Sequence, residues 1–207
     1  DTLPAPDVVY RFTPPSTGTF RVTTTASSWG PRVWTSTSCG VLSSCFATDP
    51  SWGSSVSLPF NFRGTVGTPV FLHVDDDSTS ASPFSINVTS VTPPPNESCA
   101  SATALSLGTS STVALTNATD DFEACGGYGQ YPDAVWSFTP SVTGLYSFSE
   151  TSTANVDLWL TTSCSSTTCV GVATDPEVIS ATLTAGVTYF LVVEFNYPGS
   201  TGNVTVS

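Results

Sequence analysis

The sequence predicts an all-β protein, two tandem antiparallel β-sandwiches of jelly-roll or immunoglobulin-like type with disulfide-capped hairpins. Three observations carry that expectation: apolar residues alternate along short segments, turn-forming residues are abundant with no stretch of helical periodicity, and the chain repeats itself once.

Composition sets the frame. The 207 residues are 39% hydrophobic and only 10% charged, enough to fill one large core or two ordinary ones. All four basic residues are arginines, there is no lysine, and sixteen carboxylates leave a formal charge of −12. Such a surface repels phosphate backbones and anionic membranes, so nucleic acid is not an expected partner. The most apolar run, Val187 to Val193, is the length of a strand and far short of the ~20 residues of a spanning helix. No membrane-spanning segment is expected.

The repeat is long. Pro6-Asp7-Val8-Val9-Tyr10-Arg11-Phe12-Thr13-Pro14 matches Pro132-Asp133-Ala134-Val135-Trp136-Ser137-Phe138-Thr139-Pro140. Thr17-Gly18 then matches Thr143-Gly144, Trp34 matches Trp159, and Ser38-Cys39 matches Ser163-Cys164. Ala47 to Pro50 matches Ala173 to Pro176, Phe71-Leu72 matches Phe190-Leu191, and Asn87-Val88-Thr89 matches Asn203-Val204-Thr205. So ordered a series marks two diverged copies of one unit.

Within a copy, Val8, Tyr10 and Phe12, then Phe20 and Val22, then Val56, Leu58, Phe60 and Phe62 alternate as half-buried strands do. Pro59 cannot donate to a ladder and points to an edge strand. Thr17-Gly18 and Thr143-Gly144 read as turns with glycine at positive φ. Pro93-Pro94-Pro95 reads as a stiff linker. Residues 1–92 are thus expected to form the first sandwich, 93–95 the linker and 96–207 the second.

Six cysteines allow 15 connectivities. Sequence proximity favours Cys39 with Cys45 and Cys164 with Cys169, each closing its own hairpin, and leaves Cys99 with Cys125. A four-sulfur zinc site is the competing arrangement, disfavoured because the close pairs fall at matching positions of the two copies. Oxidised cysteines, a start at Asp1 and the lack of any methionine point to a secreted protein whose signal peptide has been removed.

The strings Pro-Asp-x-Val-aromatic-x-Phe-Thr-Pro, Thr-Gly-x-aromatic, Val156-Asp157-Leu158-Trp159-Leu160 and Leu183 through Val193 resemble the bacterial pre-peptidase C-terminal domain. The stretch Asn96-Glu97-Ser98-Cys99 is similar to the opening of its disulfide-bearing forms. The resemblance covers nearly all of 96–207 and most of 6–91. It implies a jelly-roll-like sandwich acting as a non-catalytic accessory, binding or adhesion module. The first copy departs from the pattern where Arg32 stands in the place of Asp157.

The copies differ at their starts. About thirty-five residues, Asn96 to Gln130, precede the matching segment of copy 2 and carry two expected strands, Thr103–Leu107 and Ser111–Leu115. Copy 1 has only Asp1 to Ala5 there. A sandwich short of its first strands exposes unpaired backbone and an apolar groove. Three explanations compete: the sequence is a piece of a longer chain, copy 1 has adapted to manage without those strands, or another subunit donates them. Head-to-tail donation does not close and builds a filament.

Chemistry is sparse. The single histidine, His73, stands where copy 2 has Val192, and no Gly-x-Ser-x-Gly elbow accompanies it. No catalytic residue, and so no enzyme, is expected. Asp75-Asp76-Asp77 and Asp120-Asp121 with Glu123 are the calcium candidates, since hard oxygen ligands cluster in loops, though neither group has the spacing of an EF-hand. No other cofactor is expected. Trp29, Trp52, Tyr128, Tyr131 and Tyr197 lie in loop-like surroundings and are candidates for ligand or subunit contacts, a polysaccharide among them. Sequons at Asn87, Asn96, Asn117 and Asn203 are glycosylation candidates. The expectation is an extracellular fibre or surface-appendage subunit assembling head-to-tail by strand complementation. The alternative is a monomeric tandem binding or adhesion module of a secreted protein.

Overall fold

The computed structural model describes residues 7–26, 30–39, 44–49, 58–75, 83–122, 131–152, 155–165, 168–174, 176–197, 200 and 202–207. The chain divides into two compact units, Asp1–Thr92 and Pro93–Ser207. Both are all-β.

Unit 1 contains β1 (Asp7–Phe12), β2 (Gly18–Ala26), β3 (Arg32–Ser36), β4 (Cys45–Thr48), β5 (Phe60–Gly64), β6 (Val70–Asp75) and β7 (Phe84–Val91). They form a four-stranded sheet ordered β1-β6-β3-β4 and a three-stranded sheet ordered β5-β2-β7. Every pairing is antiparallel. Alternate residues face inward, and Phe20, Val22, Val33, Phe62, Leu72 and Val74 make the core between the sheets. Phe12 meets Phe20 edge-on at 5.2 Å and Phe62 at 6.1 Å between ring centroids.

Unit 2 contains β8 (Thr103–Ala104), β9 (Ser111–Ala114), β10 (Asp133–Phe138), β11 (Gly144–Thr151), β12 (Val156–Thr161), β13 (Gly171–Ala173), β14 (Val178–Leu183), β15 (Tyr189–Phe195) and β16 (Asn203–Val206). Its sheets run β13-β12-β15-β10-β8 and β14-β11-β16-β9. Removing β8 and β9 leaves β10-β15-β12-β13 and β14-β11-β16, the strand order of unit 1. The repeat in sequence is therefore a repeat in topology. The extra segment of unit 2 adds one strand to the edge of each sheet: β8 runs parallel to β10, and β9 runs antiparallel to β16. Trp136, Leu158, Leu160, Leu191 and Phe195 fill the space between the sheets.

A second apolar cluster lies on the outer face of the five-stranded sheet. Val135, Val192 and Trp159 line up across β10, β15 and β12, and Phe122 covers them, 6.4 Å from Trp159 between ring centroids. The segment before β10 is thus a strap over the sheet as well as the source of two edge strands.

Several expectations are corrected. The disulfide joins Cys99 to Cys164, with their Cα atoms 6.2 Å apart, in place of Cys99 with Cys125 and Cys164 with Cys169. The bond ties the strap to the chain just after β12 and closes no hairpin. Cys169 is also disulfide-bonded, while Cys125 lies outside the described residues. Cys39 and Cys45 are free thiols, both exposed. The backbone of that hairpin end is instead closed by Thr37 N–H donating to Ser44 O at 3.1 Å. Gly18 and Gly144 open β2 and β11 and are not among the positive-φ glycines, which are Gly108 and Gly202 together with the matching pair Gly67 and Gly186. Thr17 and Thr143 do the matching work there, their hydroxyl oxygens accepting from Val66 N–H at 3.0 Å and Ala185 N–H at 2.9 Å. Pro59 precedes β5, which is an edge strand of its sheet among the described residues.

Candidate functional site

The site is the outer edge of β1, and the comparison with unit 2 defines it. In β10, Ala134, Val135 and Trp136 are at most 1% exposed. Their counterparts in β1, Val8, Val9 and Tyr10, are 42%, 39% and 41% exposed. Side chains alternate across a strand, so exposure of three consecutive apolar residues uncovers both faces of the edge at once. In unit 2 that edge is closed by β8, where Trp136 stands opposite Thr103 and Ser137 opposite Ala104. Leu105 N–H extends the contact by donating to Ser137 O at 2.8 Å, and Trp136 Nε1 donates to Ser111 Oγ at 2.9 Å. Val135 N–H donates to Asn96 O at 2.8 Å. Among the described residues of unit 1, no strand pairs with the outer edge of β1, nor with the edge of β7 that matches the β9 side of β16. Tyr10 meets Phe84 edge-on at 6.3 Å but is not covered.

His73 sits one strand in. Its ring stacks on Trp34 at 5.2 Å with 2° between the planes, and its Nε2 lies 2.7 Å from Ser36 Oγ. The Ser36 hydroxyl also lies 3.0 Å from Ser38 O, to which it can donate, and Ser36 is fully buried. Burial lowers the His73 pKa from its ordinary 6.5, with Asp7 acting against that.

The sequence candidates distribute unevenly. Asp75 ends β6, opposite both Asp7 and Arg32 in register; Asp76 and Asp77 lie outside the described residues, as do Glu123, Trp29, Trp52 and Tyr128. Tyr197 is 65% exposed, and Tyr131 is half-buried with its pKa raised by burial and then by Glu194 and Tyr197. Asn87 and Asn203 are exposed on β7 and β16, and Asn117 is half-buried. Asn96 is 1% exposed, so its sequon has no room for a glycan in the folded chain.

Asp120 is half-buried and Asp121 exposed. Asp121 lines a cavity of about 220 Å³ together with Glu97 and Asp133. Asp133 Oδ2 accepts from the backbone N–H groups of Asp121 at 2.8 Å and Phe122 at 3.0 Å. The Thr119 hydroxyl lies within hydrogen-bond reach of Glu97 Oε1 and, at 2.7 Å, of Asp121 Oδ2; Thr119 N–H also donates to Glu97 Oε1 at 2.8 Å. Burial, then Asp121, Asp120 and Glu194, hold the Asp133 pKa well above its ordinary range, against the backbone hydrogen bonds that lower it. Neither Glu97 nor Asp133 is marked by a local sequence pattern, since the contact that brings them to one cavity joins residues far apart in the chain.

No family model matches the chain, and no curated protein does. Among solved structures, the chain is similar to the CUB1-EGF-CUB2 domain of human MASP-1/3. The identity is 8% and the TM-score 0.28, over 100% of this chain and 96% of that one.

Proposed function

We propose that the chain is an extracellular structural subunit of a fibre or surface appendage, assembling head-to-tail when a strand from a second copy completes unit 1. The observation that carries this reading is the exposure of Val8, Val9 and Tyr10 at an edge that unit 2 closes with β8. The free thiols support it: Cys39 occupies the place of Cys164, whose partner Cys99 lies on the segment before β10, which has no counterpart among the described residues of unit 1. A donated strand would add ladder hydrogen bonds along β1 and cover its apolar residues, the mode of strand addition to an exposed sheet edge. Because donor and acceptor surfaces differ, each addition leaves a new open edge, and growth continues. The reading assigns no catalysis and agrees with the resemblance to the pre-peptidase C-terminal domain.

Negative-stain electron microscopy of undenatured material from the source, beside size-exclusion chromatography of the recombinant chain, tests it. Regular filaments support strand exchange; only compact particles of one chain's mass overturn it. A tandem binding module is the second reading, favoured by the exposed Tyr197 with Tyr131 nearby, a pair suited to stacking on a sugar ring. Binding of a polysaccharide by the monomer, lost in Y197A, would favour it.

A further inference from the structure

The chain holds Asn-x-Ser/Thr tripeptides at Asn87, Asn96, Asn117 and Asn203, and the fold treats them in two ways. Asn87 lies in β7 and Asn203 in β16, strands that hold the same place in their units. Their tripeptides, Asn87-Val88-Thr89 and Asn203-Val204-Thr205, are identical, although many other positions of the two copies differ. A strand sends residues i and i+2 to one face. Ile86 and Val88 pack against the core of unit 1, and Val204 and Val206 are fully buried in unit 2. In each strand, therefore, the asparagine and the threonine two residues on share the outer face.

Both asparagines are exposed, and neither side-chain amide hydrogen-bonds to a described residue. Their neighbours across the ladder are small, Thr23 opposite Asn87 and Ala114 opposite Asn203. Among the described residues β7 is the last strand of its sheet, and the pairing of β11 with β16 covers Thr205 and Val206 without reaching Asn203. Room for a bulky substituent is open at both. The other two tripeptides are closed. Asn96 is 1% exposed, and its carbonyl accepts from Val135 N–H at 2.8 Å. In Asn117-Ala118-Thr119 the asparagine is half-buried, while Thr119 is 4% exposed and its hydroxyl is engaged by Glu97 and Asp121.

We propose that the chain carries N-linked oligosaccharides at Asn87 and Asn203 and none at Asn96 or Asn117. The step joins Nδ2 of the asparagine to the anomeric carbon of the first sugar. The bond from that carbon to an activating pyrophosphate breaks, the amide gives up one proton, and the pyrophosphate leaves. The co-reactant is thus an oligosaccharide pyrophosphate, and the hydroxyl two residues on completes the acceptor. Duplication explains why the two tripeptides match. It does not explain why an asparagine with no hydrogen-bonding role among the described residues stays in both copies, and an attached glycan does. Both sugars stand on the sheet that lacks β1 or its counterpart β10, so neither is attached at the exposed edge of β1. The assignment uses no part of the assembly reading.

The test is peptide mass mapping of the protein as isolated from its source, with a fragmentation method that keeps each sugar on its residue. Chymotrypsin supplies the peptides, since unit 2 contains no lysine or arginine. Sugar at Asn87 and Asn203, with unmodified asparagine at Asn96 and Asn117, is the expected pattern. Unmodified asparagine at either Asn87 or Asn203 overturns the proposal, and so does sugar at Asn96 or Asn117. Occupancy is read on the native chain, so no variant has to fold. The fibre reading fails separately: compact single-chain particles bearing both sugars would sink it and uphold the glycan assignment, whereas sugar-free filaments would do the reverse.

Discussion

Tyr10 and Trp136 occupy the same position in the two units and opposite environments: Tyr10 is 41% exposed on β1, while Trp136 is fully buried on β10 with its indole N–H on Ser111. The difference between them is one short strand.

That difference sets the first prediction. Replacing Trp136 by alanine should cost about 3–5 kcal/mol, the range for truncating a buried aromatic residue. Tyr10→Ser should change the stability of the isolated chain by less than about 0.5 kcal/mol, as a surface substitution does. Denaturant unfolding of the isolated chain checks both. In the assembly assay the order reverses for the surface residue, since a V8S/Y10S double variant should form no filaments.

The Cys99–Cys164 bond closes a loop with a sequence separation of 65. Chain entropy alone makes that worth about 4 kcal/mol. Paired Cys99→Ser and Cys164→Ser replacement should lower the stability of unit 2 by roughly that amount. Urea unfolding of the intact and doubly substituted chains measures the difference.

Alkylation under native, non-reducing conditions should label Cys39 and Cys45 and leave Cys99, Cys164 and Cys169 untouched. Burial raises the Cys45 thiol pKa, so its labelling should lag that of an ordinary thiol near neutral pH. Mass analysis of peptides distinguishes this from a chain with all six cysteines oxidised.

The two units should respond to acid in opposite senses. The His73 pKa is lowered by burial, so its contribution to unit 1 is full above the unfolded value of 6.5 and is lost as pH falls below it. The Asp133 pKa is raised by burial and neighbouring carboxylates. Its contribution to unit 2 is full below the unfolded value of 3.8 and is lost as pH rises through the folded pKa. Melting curves between pH 7 and about 5 should therefore show unit 1 weakening, with unit 2 holding or strengthening as its folded pKa is approached.

Much of this fold could be read from the chain itself. Alternation in Val8-Tyr10-Phe12 and Phe20-Val22 marks strands, and matching Pro6–Pro14 with Pro132–Pro140 marks two units with one topology. The surplus of Asn96 to Gln130 pointed to added strands, and β8 and β9 are there, though shorter than the alternation suggested. The disulfide was not legible. Proximity in sequence favoured Cys164 with Cys169, whereas the actual partner arrives on a strap packed across Trp159, a contact that no local pattern encodes. The role of Asp133 was not legible for a related reason: the backbone N–H groups its carboxylate satisfies belong to Asp121 and Phe122, twelve and eleven residues away.

The lack of lysine and arginine beyond Arg63 bears on how this molecule meets proteases. Trypsin and enzymes of like specificity cleave after those two residues, so within these 207 residues every bond they can attack lies in unit 1. Digestion, however complete and even of unfolded material, leaves 64–207 as a single piece. Unit 2 is thereby indigestible to a whole class of extracellular enzymes through its covalent chemistry, independent of how tightly it is folded.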